Sequence, residues 1–445
     1  MKLQQLYRAI LFVLFTAAPF AAHAQSNPIY VPLGPAKAVL YRPDSGPAPT
    51  VGIVVMHRVA NYLSHVACTE FSKRGFAVLC MNSRFDNNEV RVVWETIALD
   101  VKAGVEYLKR QPGISKVVLF GHSGGAPTMG FYQAVAENGV SFCQDPQRLT
   151  QCGNDLAGLP KADAIVFADA HPGFPMTILR GFNPSIIDEN DLTKIDSSLD
   201  PFDPKNGYNP NGQSHYSPEF QARYFAAQSA RMNKLIDKAL AIRDRIKKGD
   251  YPYSDNDILL VPRGGNPVGG PGGAASLHVL DPSIASIMST KEPRKLLKND
   301  GTIVTEVIHS VAVPDPTAKQ TNLSFDVGTK VYSVISFLGA NAVRSTNSLD
   351  GIDHCSSNNS TVCAVRSITV PELFMAMGAA NFIRDNELML GEAKSADKDY
   401  IVIEGALHPF TPCRACEKTP GQYSNTIKNL FDYATRWINT RFAPT

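Results

Sequence analysis

The stretch VVLFGHSGGAPTMG, Val117 to Gly130, decides the fold. A β-branched, apolar run climbs to Phe120, breaks on Gly121 and passes through His122-Ser123-Gly124-Gly125 into a segment of helical character. A buried strand that ends on a serine between glycines and turns at once into a helix forces strained backbone at that serine. The small residues two before and two after let neighbouring backbone pass close. The turn lifts the hydroxyl above the sheet edge, at a helix N-terminus whose amides favour negative charge. Ser123 is thus a candidate nucleophile, and its base and acid must come from elsewhere in the chain.

Working outward, strand and helix patterns alternate. TVGIVVMH (Thr50 to His57) and FAVLCMN (Phe76 to Asn82) read as buried strands, as do KVVLF (Lys116 to Phe120) and DAIVFAD (Asp163 to Asp169). Between Val93 and Leu108, apolar residues recur at three- and four-residue steps, marking an amphipathic helix that Pro112-Gly113 ends. This rhythm predicts an α/β fold with a doubly wound, mostly parallel sheet covered on both faces.

The rhythm stops after residue 170. Residues 171–366 are rich in Pro, Gly, Asn and Asp and are expected to form a cap or lid insertion. One strong helix stands out there, with Ser217 as N-cap, Pro218 at its first position and Gly249 as its stop. Its Phe220, Tyr224, Phe225, Met232, Leu235 and Ile236 follow helical spacing, which favours packing over a substrate-lining role. PRGGNPVGGPGGAAS (Pro262 to Ser276) lacks the strand-to-helix context of a phosphate loop. The core resumes over 367–445, with a strand inside SITVPELFMAM, another in DKDYIVIEGALH that ends on His408, and a closing amphipathic helix.

The first 24 residues carry Lys2 and Arg8, a short apolar run and Ala22-His23-Ala24, the pattern of a cleaved signal peptide. The mature part, 25–170 with 171–366 and 367–445, is expected to be secreted or periplasmic. The formal charge of +2 falls to neutral without the leader, leaving no electrostatic reason to bind nucleic acid. No later stretch is apolar for long enough to insert stably in a membrane. Eight cysteines suit an oxidising compartment. Cys143 with Cys152, Cys355 with Cys363, and Cys413 with Cys416 are near enough in sequence to close small loops as disulfides. Cys68 and Cys80 either meet or stay separate. The Cys413–Cys416 spacing is also that of a redox or zinc motif, but neither a thioredoxin-like pattern nor a second ligand pair accompanies it.

On GHSGG, on VVMHR (Val54 to Arg58) and on ALDVKAGVEYLKRQPGISKVVLF leading into the motif, the sequence resembles the α/β-hydrolase fold serine hydrolases over Ile29 to Ala170 and Ser367 to Phe442. Arg58 stands where that family usually has glycine. The resemblance implies Ser123 as nucleophile and His408, after the last strand, as general base. It implies an oxyanion hole from the amide of Gly124 and one of Arg58 or Val59. The Arg58 side chain either recognises a substrate carboxylate or is a solvated loop residue. The acid stays open. The turn after the strand before the histidine strand offers Asn381, with Asp385 and Glu387 beyond it. The turn after the strand following the nucleophile helix offers Asp169, the preferred choice because an acid at the end of a buried strand needs a partner. His122 should point away from the nucleophile, and His171 is placed to face the cleft.

These residues predict a serine hydrolase acting through an acyl-enzyme on a carboxylic ester, lactone or thioester. The partner is a small ester-like molecule, and neither metal nor organic cofactor is required. A serine nucleophile argues against epoxide hydrolysis and dehalogenation, which use aspartate on this fold. The alternative is a non-catalytic ligand-binding protein on a degenerate version of the fold.

Overall fold

Ten strands form one twisted sheet in the order β1-β2-β4-β3-β5-β6-β15-β16-β10-β11. They are β1 (Ile29–Leu33), β2 (Ala36–Tyr41), β3 (Val51–His57), β4 (Ala77–Asn82), β5 (Lys116–His122), β6 (Ala164–Ala168), β10 (Arg294–Leu297), β11 (Ile303–Glu306), β15 (Glu372–Met377) and β16 (Lys398–Ile403). The remaining strands make three small antiparallel pairs: β7 (Ile186–Asp188) with β8 (Asp191–Ile195), β9 (Ile258–Val261) with β12 (Lys330–Ser333), and β13 (Ser345–Asn347) with β14 (Gly351–Ile352). The structure is a computed structural model that describes residues 28–189, 191–261, 277–281, 283–284, 288–312 and 330–442. Residues 1–24, expected to be a signal peptide, and the Gly/Pro loop at 262–276 lie outside the described residues.

From β4 through β10 every pairing is parallel, while β1 with β2, β2 with β4, and β10 with β11 are antiparallel. The expected doubly wound, mostly parallel sheet is therefore present. Its central strands β3, β4, β5, β6 and β15 are mostly apolar because alternate side chains feed two cores. Val54 and Met56 face one core with α2 (Ile97–Lys109) and α3 (Gly125–Asn138). Ile53 and Val55 face the other with α1 (Val66–Ser72) and the C-terminal helix Thr426–Phe442.

The segment 171–366, expected as a cap, is divided. Its strands β10 and β11 extend the main sheet, with Leu296 and Leu297 in parallel register beside Val402 and Ile403 of β16. Without them β16 would end the sheet with a row of unpaired backbone groups. The rest of the segment has cores of its own. Helix α4 (Phe174–Gly181) packs with the middle of α5 (Pro218–Lys247) through Met176, Ile178, Met232, Leu235 and Ile236. Nearer its N-terminus, Phe220, Tyr224 and Phe225 join Tyr216, Leu277 and Ile284. Ser217 Oγ accepts from the Phe220 amide at 3.2 Å, as its N-cap position requires.

The cysteine pairs 143–152, 355–363 and 413–416 are bonded, and a fourth bond joins Cys68 of α1 to Cys80 of β4. No described helix is long and apolar enough to cross a membrane.

Candidate active site

The site stands at the C-terminal ends of β5, β6 and β16. Ser123 follows β5 at φ 59°, a left-handed conformation unfavourable for any residue with a Cβ. The flanking glycines are sterically required. A Cβ on Gly121 would lie 2.7 Å from the Ala126 Cα, and one on Gly125 would lie 2.4 Å from the Met56 carbonyl oxygen. Gly124 caps α3, so its amide belongs to the unpaired first turn of a helix.

Ser123 is 9% exposed. Its Oγ lies 2.8 Å from His408 Nε2, and His408 Nδ1 lies 2.5 Å from Asp169 Oδ2. Asp169 follows β6, is fully buried, and takes a second hydrogen bond on Oδ1 from the Met377 amide at 3.1 Å. Its φ of 42° is again left-handed, so strain recurs at two of the three residues of this line. The Asp169 carboxylate fixes the His408 tautomer: Nδ1 carries the proton, and Nε2 is free to accept from the serine hydroxyl.

His408 rides on a tight loop after β16. Leu407 donates to the Thr411 carbonyl, Phe410 to that of Leu407 and Cys413 to that of Gly405, with the Cys413–Cys416 bond just beyond. His122 Nε2 donates to the His408 carbonyl at 2.9 Å. The middle residue of the serine motif does point away from Ser123, and its ring supports the His408 loop from behind.

Three other histidines surround the site, and backbone donors assign two of their tautomers. Ala67 donates to His65 Nδ1, so His65 Nε2–H faces His122 Nδ1 at 3.0 Å, an acceptor shared with the Tyr62 hydroxyl at 2.9 Å. Val59 and Ala60 donate to His57 Nδ1 at 3.1 and 2.8 Å. Burial, followed by the charges of neighbouring groups, holds His57, His122 and His171 well below the ordinary histidine range and lowers His65 to about 4. These rings are neutral hydrogen-bonding parts near pH 7.

Sequence reasoning placed His171 at the cleft without a role. Its Nε2 lies 3.2 Å from Ser123 Oγ. Because the serine proton points to His408, His171 Nε2–H donates to the same oxygen. His171 Nδ1 is buried with no partner, between the rings of Phe174 and Phe382. Nothing in the sequence beyond its position two residues after Asp169 signals this contact.

The other expected site residues separate. The Val59 amide is directed to the His57 ring and away from the oxyanion position assigned to it. No such bond engages the amides of Gly124 or Arg58 among the described residues. Asp385 is paired with Arg180 at 2.8 Å. Glu387 accepts from the Lys291 and Glu292 amides and from Arg294 Nε. Asn381 makes no hydrogen bond with His408; its neighbour Phe382 lies against that ring instead. No described group of three or more His, Cys, Asp or Glu is arranged to hold a metal ion.

A mostly parallel sheet covered on both faces, with a strained serine on a strand-to-helix turn at the top, is the α/β-hydrolase fold. No protein-family model matches the chain, and no curated protein does. Solved structures similar to it include DcsB in complex with its substrate analogue, at 12% identity, covering 94% of this chain and 100% of that one, with a TM-score of 0.44. Est1E from Butyrivibrio proteoclasticus is 10% identical over 94% and 100% of the two chains, with a TM-score of 0.37. Brefeldin A esterase, a bacterial homologue of human hormone sensitive lipase, is 11% identical over 97% and 81%, also at 0.37. At such scores the fold assignment rests on the sheet and its strand ends.

Proposed function

We propose that the protein is an exported serine hydrolase that cleaves a carboxylic ester, lactone or thioester. The reading rests on one observation, the hydrogen-bonded line from Asp169 through His408 to Ser123. His408 Nε2 takes the hydroxyl proton as Oγ bonds to the substrate carbonyl carbon. The carbonyl oxygen, now an anion, receives the amides of Gly124 and Arg58. Collapse breaks the bond to the leaving alcohol or thiol, which departs with the proton from His408. Water repeats the sequence on the acyl-enzyme and frees the acid. Asp169, buried and doubly hydrogen-bonded, holds the imidazole in its tautomer and stabilises the imidazolium.

In this reading the parts of 171–366 outside β10 and β11 cap the cleft. The leader at 1–24 directs export, and the four cysteine bonds suit the oxidising side of a membrane. The test is labelling of the purified protein with a fluorophosphonate probe beside Ser123→Ala. Labelling that vanishes in the variant is expected. A well-folded protein that takes no label would be a binding protein on this fold, and the hydrolase reading would fail.

A further inference from the structure

Arg58 is an unusual residue to bury. It sits one residue past β3 and is 1% exposed, yet its guanidinium has a single protein partner, Glu89 Oε1 at 3.3 Å from Nη2. Nε and Nη1, which carry three of the five guanidinium N–H bonds, have no hydrogen-bond partner among the described residues. Glu89 does not balance the charge alone, because it is shared with Lys330 at 3.6 Å. Two cations therefore divide one carboxylate. A buried charge left so incompletely paired is expensive, and it persists where something else completes it.

The position of the group says what that is. The guanidinium lies over the Phe174 ring, 3.7 Å from its centroid. Phe174 stacks near His171, and His171 touches Ser123 Oγ. Three successive contacts thus link the incompletely paired guanidinium to the serine. The Arg58 charge is among the causes that lower His171. The Tyr332 hydroxyl, buried and without a partner, also feels the charges of Glu89 and Arg58. Glu89 takes one N–H of Nη2, so the other edge of this planar group, Nη2 with either Nε or Nη1, is open for bidentate pairing with a carboxylate.

We propose that Arg58 anchors a carboxylate of the substrate, so that the ester presented to Ser123 is an anionic one, such as the monoester of a dicarboxylic acid. This deepens the serine-hydrolase reading and rests on it for the reaction, though not for the binding. The anchored carboxylate completes the Arg58 pairing and holds the far end of the acyl chain, while the ester carbonyl lies at Ser123. A neutral diester of the same length leaves the guanidinium with Glu89 alone.

The experiment measures binding without turnover. Ser123→Ala protein is titrated by calorimetry with monomethyl glutarate and with dimethyl glutarate. The monoester is expected to bind about ten- to a hundredfold more tightly, the range for hydrogen bonds to a charged group. That preference should disappear in Ser123→Ala/Arg58→Met. Should the methionine variant fail to fold, Arg58→Lys keeps the charge without the fork and should retain only part of the preference. Equal affinity for the two esters, or a preference unchanged by either substitution, overturns the proposal. If the monoester binds selectively while the wild type takes no fluorophosphonate, the hydrolase reading falls and the anion site stands. If labelling depends on Ser123 and both esters bind alike, the reverse holds.

Discussion

His122 Nε2 and the His408 carbonyl oxygen meet at 2.9 Å, joining the strand that presents Ser123 to the loop that presents the His408 ring. The bond crosses 286 residues of sequence. It sets the height of His408 over Ser123 without touching substrate. His122→Ala removes it and also strips the Tyr62 hydroxyl and His65 Nε2–H of their shared acceptor. The expected result is a fall in kcat of about ten- to a hundredfold, or 1.4 to 2.8 kcal/mol, with KM little changed. His122→Gln, whose amide can reach the same carbonyl, should recover part of the loss. Equal kinetics for wild type and both variants would remove His122 from a positioning role.

Asp169→Asn leaves the shape and removes the charge beside His408 Nδ1. The expected loss in kcat is about 10³- to 10⁴-fold, as for a triad whose imidazole is left in the wrong tautomer. Asp385→Asn and Glu387→Gln disturb pairing with Arg180 and Arg294 instead. They should lower the melting temperature while leaving kcat per folded molecule within about threefold. A kcat for Asp169→Asn near that of the wild type would move the acid elsewhere.

His171→Phe fills the same space beside Phe382 and deletes the N–H donated to Ser123 Oγ. In the proposed mechanism that donor steadies the oxygen as its proton leaves for His408. Its loss should slow fluorophosphonate labelling about tenfold or more, the worth of one hydrogen bond to a developing charge. Stopped-flow acylation measures this step apart from deacylation. Undiminished acylation would reduce His171 to a packing residue.

Stability should fall on mild acidification. His65 titrates at about 4 when folded, against 6.5 ordinarily, because it is buried and faces the His408 charge. Between those values the unfolded chain binds a proton that the folded chain refuses. The loss therefore begins as pH drops below about 6.5 and levels off below about 4. Each such histidine adds about 1.4 kcal/mol per pH unit inside its window, and His57, His122 and His171 are shifted in the same direction. Urea unfolding at pH 7 and pH 5 measures the slope, and His65→Gln should reduce it. An identical slope in the variant contradicts this account.

The serine was legible because its motif needs a strand before it and a helix after it, and both patterns are plain around Ser123. His408 was legible from its place at the end of the last apolar run. The acid was not decided by position alone. Strands β6 and β15 are neighbours, with Ala168 beside Met375, so the turns after both lie next to the same histidine. Only the hydrogen bonds separate Asp169 from Asn381. Strand β10 escaped notice because RKLL is short and half charged, and it owes its conformation to β16 rather than to its own residues. The role of the Val59 amide could not be read at all, since it depends on which way the His57 ring turns.

The long excursion of chain between β6 and β15 also sets a timetable. Ser123 and Asp169 precede it and His408 follows it. During synthesis Ser123 and Asp169 emerge first, at the ends of adjacent strands of a half-built sheet. In the proposed chemistry, a nascent or truncated chain that stops short of residue 408 lacks the histidine that Asp169 holds against the serine. On that reading the site stays incomplete until nearly all of the chain has been made and has returned to the sheet.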